Sequence, residues 1–188
     1  VINLLYPKTQ EAPPLSWLIY TEFMASQGFS RTPWVAEVER HLKRDGLLGS
    51  FKQRVEEIEG RPWEELRETP LYTRMAMAEA LAKIESRRWP SLDFALKALE
   101  DQEKELQLNP QWLAERLREE AEALDPVKGR VVLLLDEVTL YVGDSHDRLM
   151  ELQAIAETIS QRHILGKVWL IATAQEALEE KIPEISRK

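Results

Sequence analysis

Five apolar residues followed directly by two carboxylates constrain the fold of this chain more than any other feature. Residues 131–135 read VVLLL, and Asp136 and Glu137 come next. A continuous apolar run that is partly β-branched is typical of a strand covered on both faces, as in a parallel sheet. Parallel strands need a long crossover between them, usually a helix. The sequence around this run therefore predicts an α/β unit.

The segments after this run fit such a unit. Asp144 or Ser145 can cap a helix over about residues 147–161. A second apolar run, VWLIA at 168–172, predicts another strand, and residues 174–181 predict a further helix. The last third of the chain is therefore predicted as strand–helix–strand–helix. The two strands are expected to be neighbours and parallel, joined by one right-handed crossover.

The first two thirds of the chain predict helix almost throughout. An apolar run at 1–5 (VINLL) stops at Pro7 and predicts a short buried strand. Repeated helix-start signals and apolar residues at helical spacing then fill about 120 residues. The start signals are Pro13-Pro14, Thr32-Pro33, Ser50, Pro62-Trp63, Pro70, Pro90-Ser91 and Asn109-Pro110. The predicted buried stripe of the helix that starts at Pro70 is Leu71, Met75, Ala78, Leu81 and Ala82.

Composition excludes several classes of protein and site. The chain has 188 residues and no Cys, so disulfides and thiolate metal sites are excluded, and a reducing cytoplasm is the expected location. Its 3 His are too scattered in sequence for a zinc site. The net charge of −8 disfavours this chain as the main contact with a phosphate backbone. No apolar run approaches the roughly 20 residues that cross a bilayer, so no membrane partner is predicted.

Polar residues at the ends of the two predicted strands are the candidate site. In open α/β sheets, ligands bind beyond the carboxyl ends of the strands. Asp136 can hold Mg²⁺, usually through water, while the metal bridges phosphate oxygens. Glu137 can polarise an attacking water, and Thr173 or Gln175 can orient that water or sense the phosphate from the next strand. This is the arrangement of a Walker B strand and a sensor strand.

Two observations limit this interpretation. Asp136 can instead simply cap a turn after a buried strand, which is the plain structural alternative. A P-loop also needs the string G-x-x-x-x-G-K-[ST], whose backbone N–H groups surround the phosphates, and the chain contains none. We therefore expect the chain to be a fragment of a longer protein in which such a loop lies N-terminal to Val1. The fragment by itself is expected to bind ATP weakly and to be inactive.

The region from Val131 onward resembles the BrxC/PglY family of large P-loop ATPases from BREX bacteriophage-exclusion systems. The resemblance rests on VVLLLDEVTLYVGDSHDRLMELQAIAETISQR and GKVWLIATAQEALEE. Within these strings the family pattern matches Asp136-Glu137-Val138, Gly143-Asp144, Leu152-Gln153 and Thr173-Ala174-Gln175-Glu176. A looser likeness in the helical part includes Pro33-Trp34-Val35, Phe51 and the string from Arg61 to Glu65.

This resemblance implies a cytoplasmic ATPase that uses ATP and Mg²⁺ within a multi-protein antiviral defence system. Its partners would be the other proteins of that system, and self-association and nucleic-acid contact are left open. The expected fold is α/β and mostly helical, with a small parallel sheet of a P-loop NTPase core and a large helical insertion. The expected division is a core strand at 1–8, an insertion at 9–127 and the α/β part at 128–188.

Two rival functions belong to other classes. The helices of the first two thirds favour a non-catalytic protein-interaction module in which the α/β end serves only as scaffold. An exposed apolar groove among those helices would support this alternative. A nucleic-acid adaptor is the least favoured function because of the acidic charge balance.

Overall fold

The computed structural model describes residues 2–3, 13–143 and 145–174. The fold is α/β and mostly helical, as the sequence predicts. The predicted helix at 174–181 lies outside the described residues, except for Ala174. The elements in chain order are β1 (Ile2–Asn3), α1 (Leu15–Ser26), α2 (Pro33–Arg44), α3 (Leu48–Glu59), α4 (Trp63–Leu66), α5 (Pro70–Ile84), α6 (Leu92–Glu105), α7 (Pro110–Leu124), β2 (Val131–Asp136), α8 (Val138–Val142), α9 (His146–Ile159) and β3 (Val168–Ala172).

The described strands form one parallel sheet in the order β1–β2–β3. Val131 is paired with Val168 and Leu135 with Ala172, so β2 and β3 run side by side over five residue pairs. The prediction that these two strands are adjacent and parallel is confirmed. β1 pairs in parallel with the end of β2, Ile2 opposite Leu135. The strand predicted at 1–5 is therefore present at Ile2–Asn3, and the other residues of that run lie outside the described part of the chain.

The chain divides into two compact units. The sheet unit consists of Val1–Tyr20 with Leu108–Lys188, and the helical unit consists of Thr21–Gln107. These bounds differ from the predicted insertion at 9–127, because α7 packs against β2, β3 and α9 and thus belongs to the sheet unit. Within the described residues, no helix is long and apolar enough to cross a membrane.

The sheet is covered on one face only by the described elements. Along β2, Val131, Leu133 and Leu135 are buried, whereas Val132 is 58% exposed. Trp169 of β3 is also more than half exposed. The prediction that the apolar run is covered on both faces is therefore not met by the described part of the chain. The physical reason is that side chains alternate along a strand, and α7 packs on β2 and β3 while α9 packs on β3.

Most described helices begin at a predicted start signal, although Thr32 before α2 makes no side-chain capping bond. The side chains of Ser91, Asn109 and Ser145 accept hydrogen bonds from the backbone of the first turn of α6, α7 and α9. Such a bond satisfies one of the donors that a helix start leaves unpaired. Ser50 is not a cap, because α3 begins two residues earlier, at Leu48, and Ser50 lies inside it.

The buried stripe predicted for α5 is partly wrong. Leu71 is 81% exposed and Met75 is more than half exposed, whereas Met77 and Ala80 are fully buried. Leu81 and Ala78 are buried as predicted. The contacts of α5 with α3 and α6 determine which face of the helix is buried. That face is rotated about the helix axis from the face predicted from the spacing of apolar residues after Pro70. Small residues such as Ala76 and Ala80 allow this close approach.

A buried carboxylate organises the helical unit. Glu39 on α2 accepts a hydrogen bond of 2.6 Å from Trp63 Nε1 and another of 2.6 Å from the backbone N–H of Ser30. Arg67 Nη1 lies 3.4 Å from the same side chain. Glu39 therefore ties α2 to α4 and to the loop before α2. Burial raises the pKa of Glu39 even though these donors and the Arg67 charge act in the opposite direction.

The connection from α7 into β2 is closed by a tight backbone contact. The backbone N–H of Gly129 donates to Asp125 O at 2.8 Å, and the Asp125 side chain accepts from the N–H groups of Val127 and Lys128. A Cβ atom built on Gly129 would lie 1.8 Å from Ala121 O and 2.6 Å from Asp125 O. Both atoms belong to the backbone, so no side chain can move aside.

Replacing Gly129 with Ala should destabilise the sheet unit by about 3 kcal/mol, because the last turn of α7 must shift to admit the methyl group. Thermal unfolding followed by tryptophan fluorescence measures this loss. Lys128→Ala, at an exposed neighbouring position, is the control and should change the unfolding free energy by less than about 0.5 kcal/mol. Equal stability of the two variants would contradict the contact at Gly129.

The stability of the helical unit should respond to pH through Glu39. A carboxyl whose folded-state pKa lies above its ordinary value of 4.5 stabilises the fold fully below that value, and the contribution is lost as pH rises through the folded-state pKa. The drop in unfolding free energy between pH 4 and pH 8 should be smaller in Glu39→Gln than in the wild type. Urea unfolding at several pH values measures this pH dependence. The control Glu59→Gln, at an exposed position, should show the same pH dependence as the wild type.

Candidate functional site

Three of the four predicted site residues meet at the carboxyl end of the sheet. Asp136 is the last residue of β2, Glu137 follows it, and Thr173 directly follows β3. Because Leu135 is paired with Ala172, the two strands end at the same edge of the sheet. The residues that follow them are therefore neighbours. Gln175, the other predicted sensor, lies outside the described residues.

The hydroxyl of Thr173 connects both carboxylate residues. Thr173 Oγ1 donates a hydrogen bond of 2.5 Å to Asp136 Oδ1, and it accepts one of 3.0 Å from the backbone N–H of Glu137. The backbone of Thr173 is also paired: its N–H donates to Leu135 O, and its carbonyl accepts from the N–H of Val138, both at 2.9 Å. Thr173 thus holds the turn after β2 with four hydrogen bonds.

The backbone turns sharply at Glu137. Its φ of +54° and ψ of +47° place it in the left-handed region, and it is the one described non-glycine residue with positive φ. This conformation disfavours residues with a Cβ, so a carboxylate here is retained at a cost to folding. The turn ends β2 and starts α8. Strain of this kind is concentrated at functional sites.

The donor set suits Mg²⁺ held largely by water and phosphate. Asp136 is exposed, and one of its carboxylate oxygens receives the Thr173 hydroxyl, while no described residue donates to the other. Mg²⁺ is usually bound by one or two carboxylates, several waters and substrate phosphates. No group of three or more His, Cys, Asp or Glu able to hold a metal occurs among the described residues.

A second network lies under the turn. Glu151 on α9 accepts hydrogen bonds from the backbone N–H groups of Leu15 and Ser16, at 2.8 and 3.1 Å. It therefore caps the start of α1 from a distance of more than 130 residues along the chain. Tyr141 on α8 also bonds to this cluster, 3.1 Å from Pro13 O and 3.3 Å from Glu151. The helix that begins at the Glu137 turn is thereby fixed to α1 and α9.

These supporting residues were not predicted from the sequence. One signal was present: α1 follows two prolines, which offer no side-chain oxygen for a local cap. Nothing local in the sequence identifies Glu151 as that cap. Burial raises the pKa of the Tyr141 hydroxyl, and the Glu151 carboxylate raises it further, whereas Arg148 opposes the change. Tyr141 therefore acts as a neutral hydrogen-bond donor here.

Comparison of the chain with models of known protein families gives no match, and comparison with solved structures gives none.

The strain at Glu137 predicts a difference between two variants that both lack the carboxylate. Glu137→Gly relieves the positive φ, whereas Glu137→Ala keeps a Cβ and with it the strain. The unfolding free energy of the Gly variant should therefore exceed that of the Ala variant by about 1 kcal/mol. Chemical unfolding of both variants measures the difference. A more stable Ala variant would mean that residue 137 is not in the left-handed region.

Proposed function

We propose that this chain is part of a P-loop ATPase in which Asp136, Glu137 and Thr173 act on Mg²⁺-bound ATP. The observation that carries the proposal is the Thr173 hydroxyl, which joins two adjacent carboxylate residues at the ends of neighbouring parallel strands. This edge of an open α/β sheet is where ligands bind. A turn that served folding alone would not need a carboxylate in the left-handed region.

Asp136 would contact the metal. Its carboxylate stands at the end of β2, held by Thr173 on one oxygen, so it can accept hydrogen bonds from metal-bound waters on the other. Bound Mg²⁺ would supply charge neutralisation at the β- and γ-phosphates. Thr173 sets the direction of the Asp136 carboxylate, which makes it a positioning residue in this proposal.

Glu137 would orient and deprotonate the attacking water. Its backbone N–H is held by the Thr173 hydroxyl, and its backbone lies in the left-handed region. Two adjacent carboxylates can then serve separate roles, one at the metal and one at the water. Gln175 stays a predicted sensor of the γ-phosphate, two residues beyond Thr173.

The phosphate-binding loop would come from another part of a longer protein, since the 188 residues contain no G-x-x-x-x-G-K-[ST] string. The likeness to the BrxC/PglY family supports a role in bacteriophage exclusion, in the cytoplasm and with the other proteins of such a system as partners. Finding that string between a strand and a helix upstream of Val1 would be the most direct evidence for the class.

A protein-interaction module is the second candidate, and a surface of α5 favours it. Leu71, Tyr72 and Met75 are all more than half exposed, Tyr72 at 86%. Exposed apolar residues that adjoin on a helix often mark a contact surface. In this alternative the helices bind a partner and the strand ends do no chemistry. If substitution of Asp136 and Glu137 left the rate of ATP hydrolysis unchanged, that result would favour this candidate.

In the full-length protein, Glu137→Gln should lower the rate of ATP hydrolysis at least 100-fold with ATP affinity within a few-fold of the wild type, because the amide cannot accept the proton of the water. Steady-state phosphate release and nucleotide binding measure the two effects. Glu157→Gln, at an exposed carboxylate on α9, is the matched control and should hydrolyse ATP normally. Unchanged hydrolysis by Glu137→Gln would refute the assignment.

A further inference from the structure

A cavity in the helical unit is lined by a set of residues that the strand-end site does not use. Its volume is about 360 Å³, and it lies among α2, α5, α6 and the segment between α5 and α6. Pockets of roughly 300 Å³ or more are large enough for a small ligand. The lining residues are Val38, His41, Leu42, Leu81, Arg88, Trp89, Phe94, Ala98, Leu99 and Gln102.

The floor of this cavity is apolar and firmly built. Leu42, Leu81 and Leu99 are buried core residues that also contact the rest of the unit. Trp89 is 8% exposed, so its position is fixed, whereas Phe94 is 51% exposed and borders the opening. An aromatic or branched apolar group of a ligand would be enclosed by these side chains and would displace water from them.

Arg88 is the one Lys, Arg, Asp or Glu residue in the lining. The chain has 33 Asp and Glu against 25 Lys and Arg, yet the lining contains no carboxylate and includes Arg88 and His41. The Arg88 guanidinium lies over the Trp89 ring, 4.7 Å from its centroid. Arg88 Nη1 donates to Asp45 Oδ2 at 2.6 Å. No described residue accepts from its Nε or Nη2.

This geometry selects the charge of the ligand. Asp45 holds Arg88 by one nitrogen, and this bond helps to keep the guanidinium over the Trp89 ring. The other edge of the guanidinium presents two N–H donors in the fork arrangement that matches a carboxylate. A cationic ligand would meet Arg88 without a counter-charge in the lining.

We propose that this cavity binds an apolar carboxylate, with an aromatic or branched group on the Trp89–Leu99 floor and its carboxylate on the free edge of Arg88. The chemistry is shared by a free small acid and by the C-terminal residue of a peptide that ends in an apolar side chain. The proposal goes beyond the strand-end ATPase and does not depend on it, because every lining residue belongs to the helical unit.

Phenylpropionate is the first probe, titrated into the 188-residue chain and followed by the indole N–H signal of Trp89 in heteronuclear NMR spectra. Binding with a Kd on the order of 1 mM is expected for a ligand of this size. The neutral phenylpropanamide should bind about tenfold more weakly, since it lacks the charge-assisted bonds to Arg88. Equal affinity of acid and amide, or no shift of lining residues, would overturn the proposal.

Two variants locate the site. Arg88→Gln should weaken phenylpropionate about tenfold, whereas the control Arg87→Gln, at an exposed residue outside the lining, should bind like the wild type. Ala98→Leu adds bulk inside the cavity and should reduce binding at least tenfold. Retention of full affinity by both Arg88→Gln and Ala98→Leu would refute the site.

A further titration separates the two sources of the ligand. An acetylated dipeptide that ends in phenylalanine carries the same ring and carboxylate as the free acid. Tighter binding of the dipeptide would assign the cavity to a peptide terminus, and weaker binding would assign it to a free acid. Either result supports the shared chemistry, provided that Arg88→Gln weakens the tighter ligand.

Discussion

The side-by-side pairing of β2 and β3 is the constraint on which the sheet unit and its candidate site depend. Five residue pairs in parallel register set Leu135 opposite Ala172. This register determines which residues are neighbours where the two strands end. Thr173 can reach Asp136 and the turn at Glu137 only because the two strands end together. A shift of one residue would direct the apolar side chains of β2 to the opposite face and remove Thr173 from the carboxylates.

The sequence predicted the placement of the candidate residues better than it predicted the contacts that support them. Asp136, Glu137 and Thr173 could be placed together because two apolar runs fix two parallel strands, and polar residues at parallel strand ends share one edge. The cap of α1 by Glu151 could not be predicted, since it joins residues more than 130 apart in sequence. The left-handed turn at Glu137 was also not evident, because Glu is not a residue that indicates positive φ.

Helix starts were predictable for a local reason, and helix faces were not. Asn109 and Ser91 mark their helices through hydrogen bonds that span three residues. The buried face of α5, in contrast, depends on α3 and α6, which contact it through long-range packing. Spacing alone selected Leu71 and Met75, yet both are exposed. The compact helical unit is shorter than the predicted insertion for a related reason: only packing shows that α7 contacts the sheet.

The closed connection between α7 and β2 has a consequence for the length of the chain there. Asp125 binds the backbone at Val127, Lys128 and Gly129, and Gly129 lies against Ala121 with no space to spare. An added or deleted residue between Asp125 and Val131 would break this turn and change the register of β2 against β3. Homologous chains should therefore keep this segment at constant length.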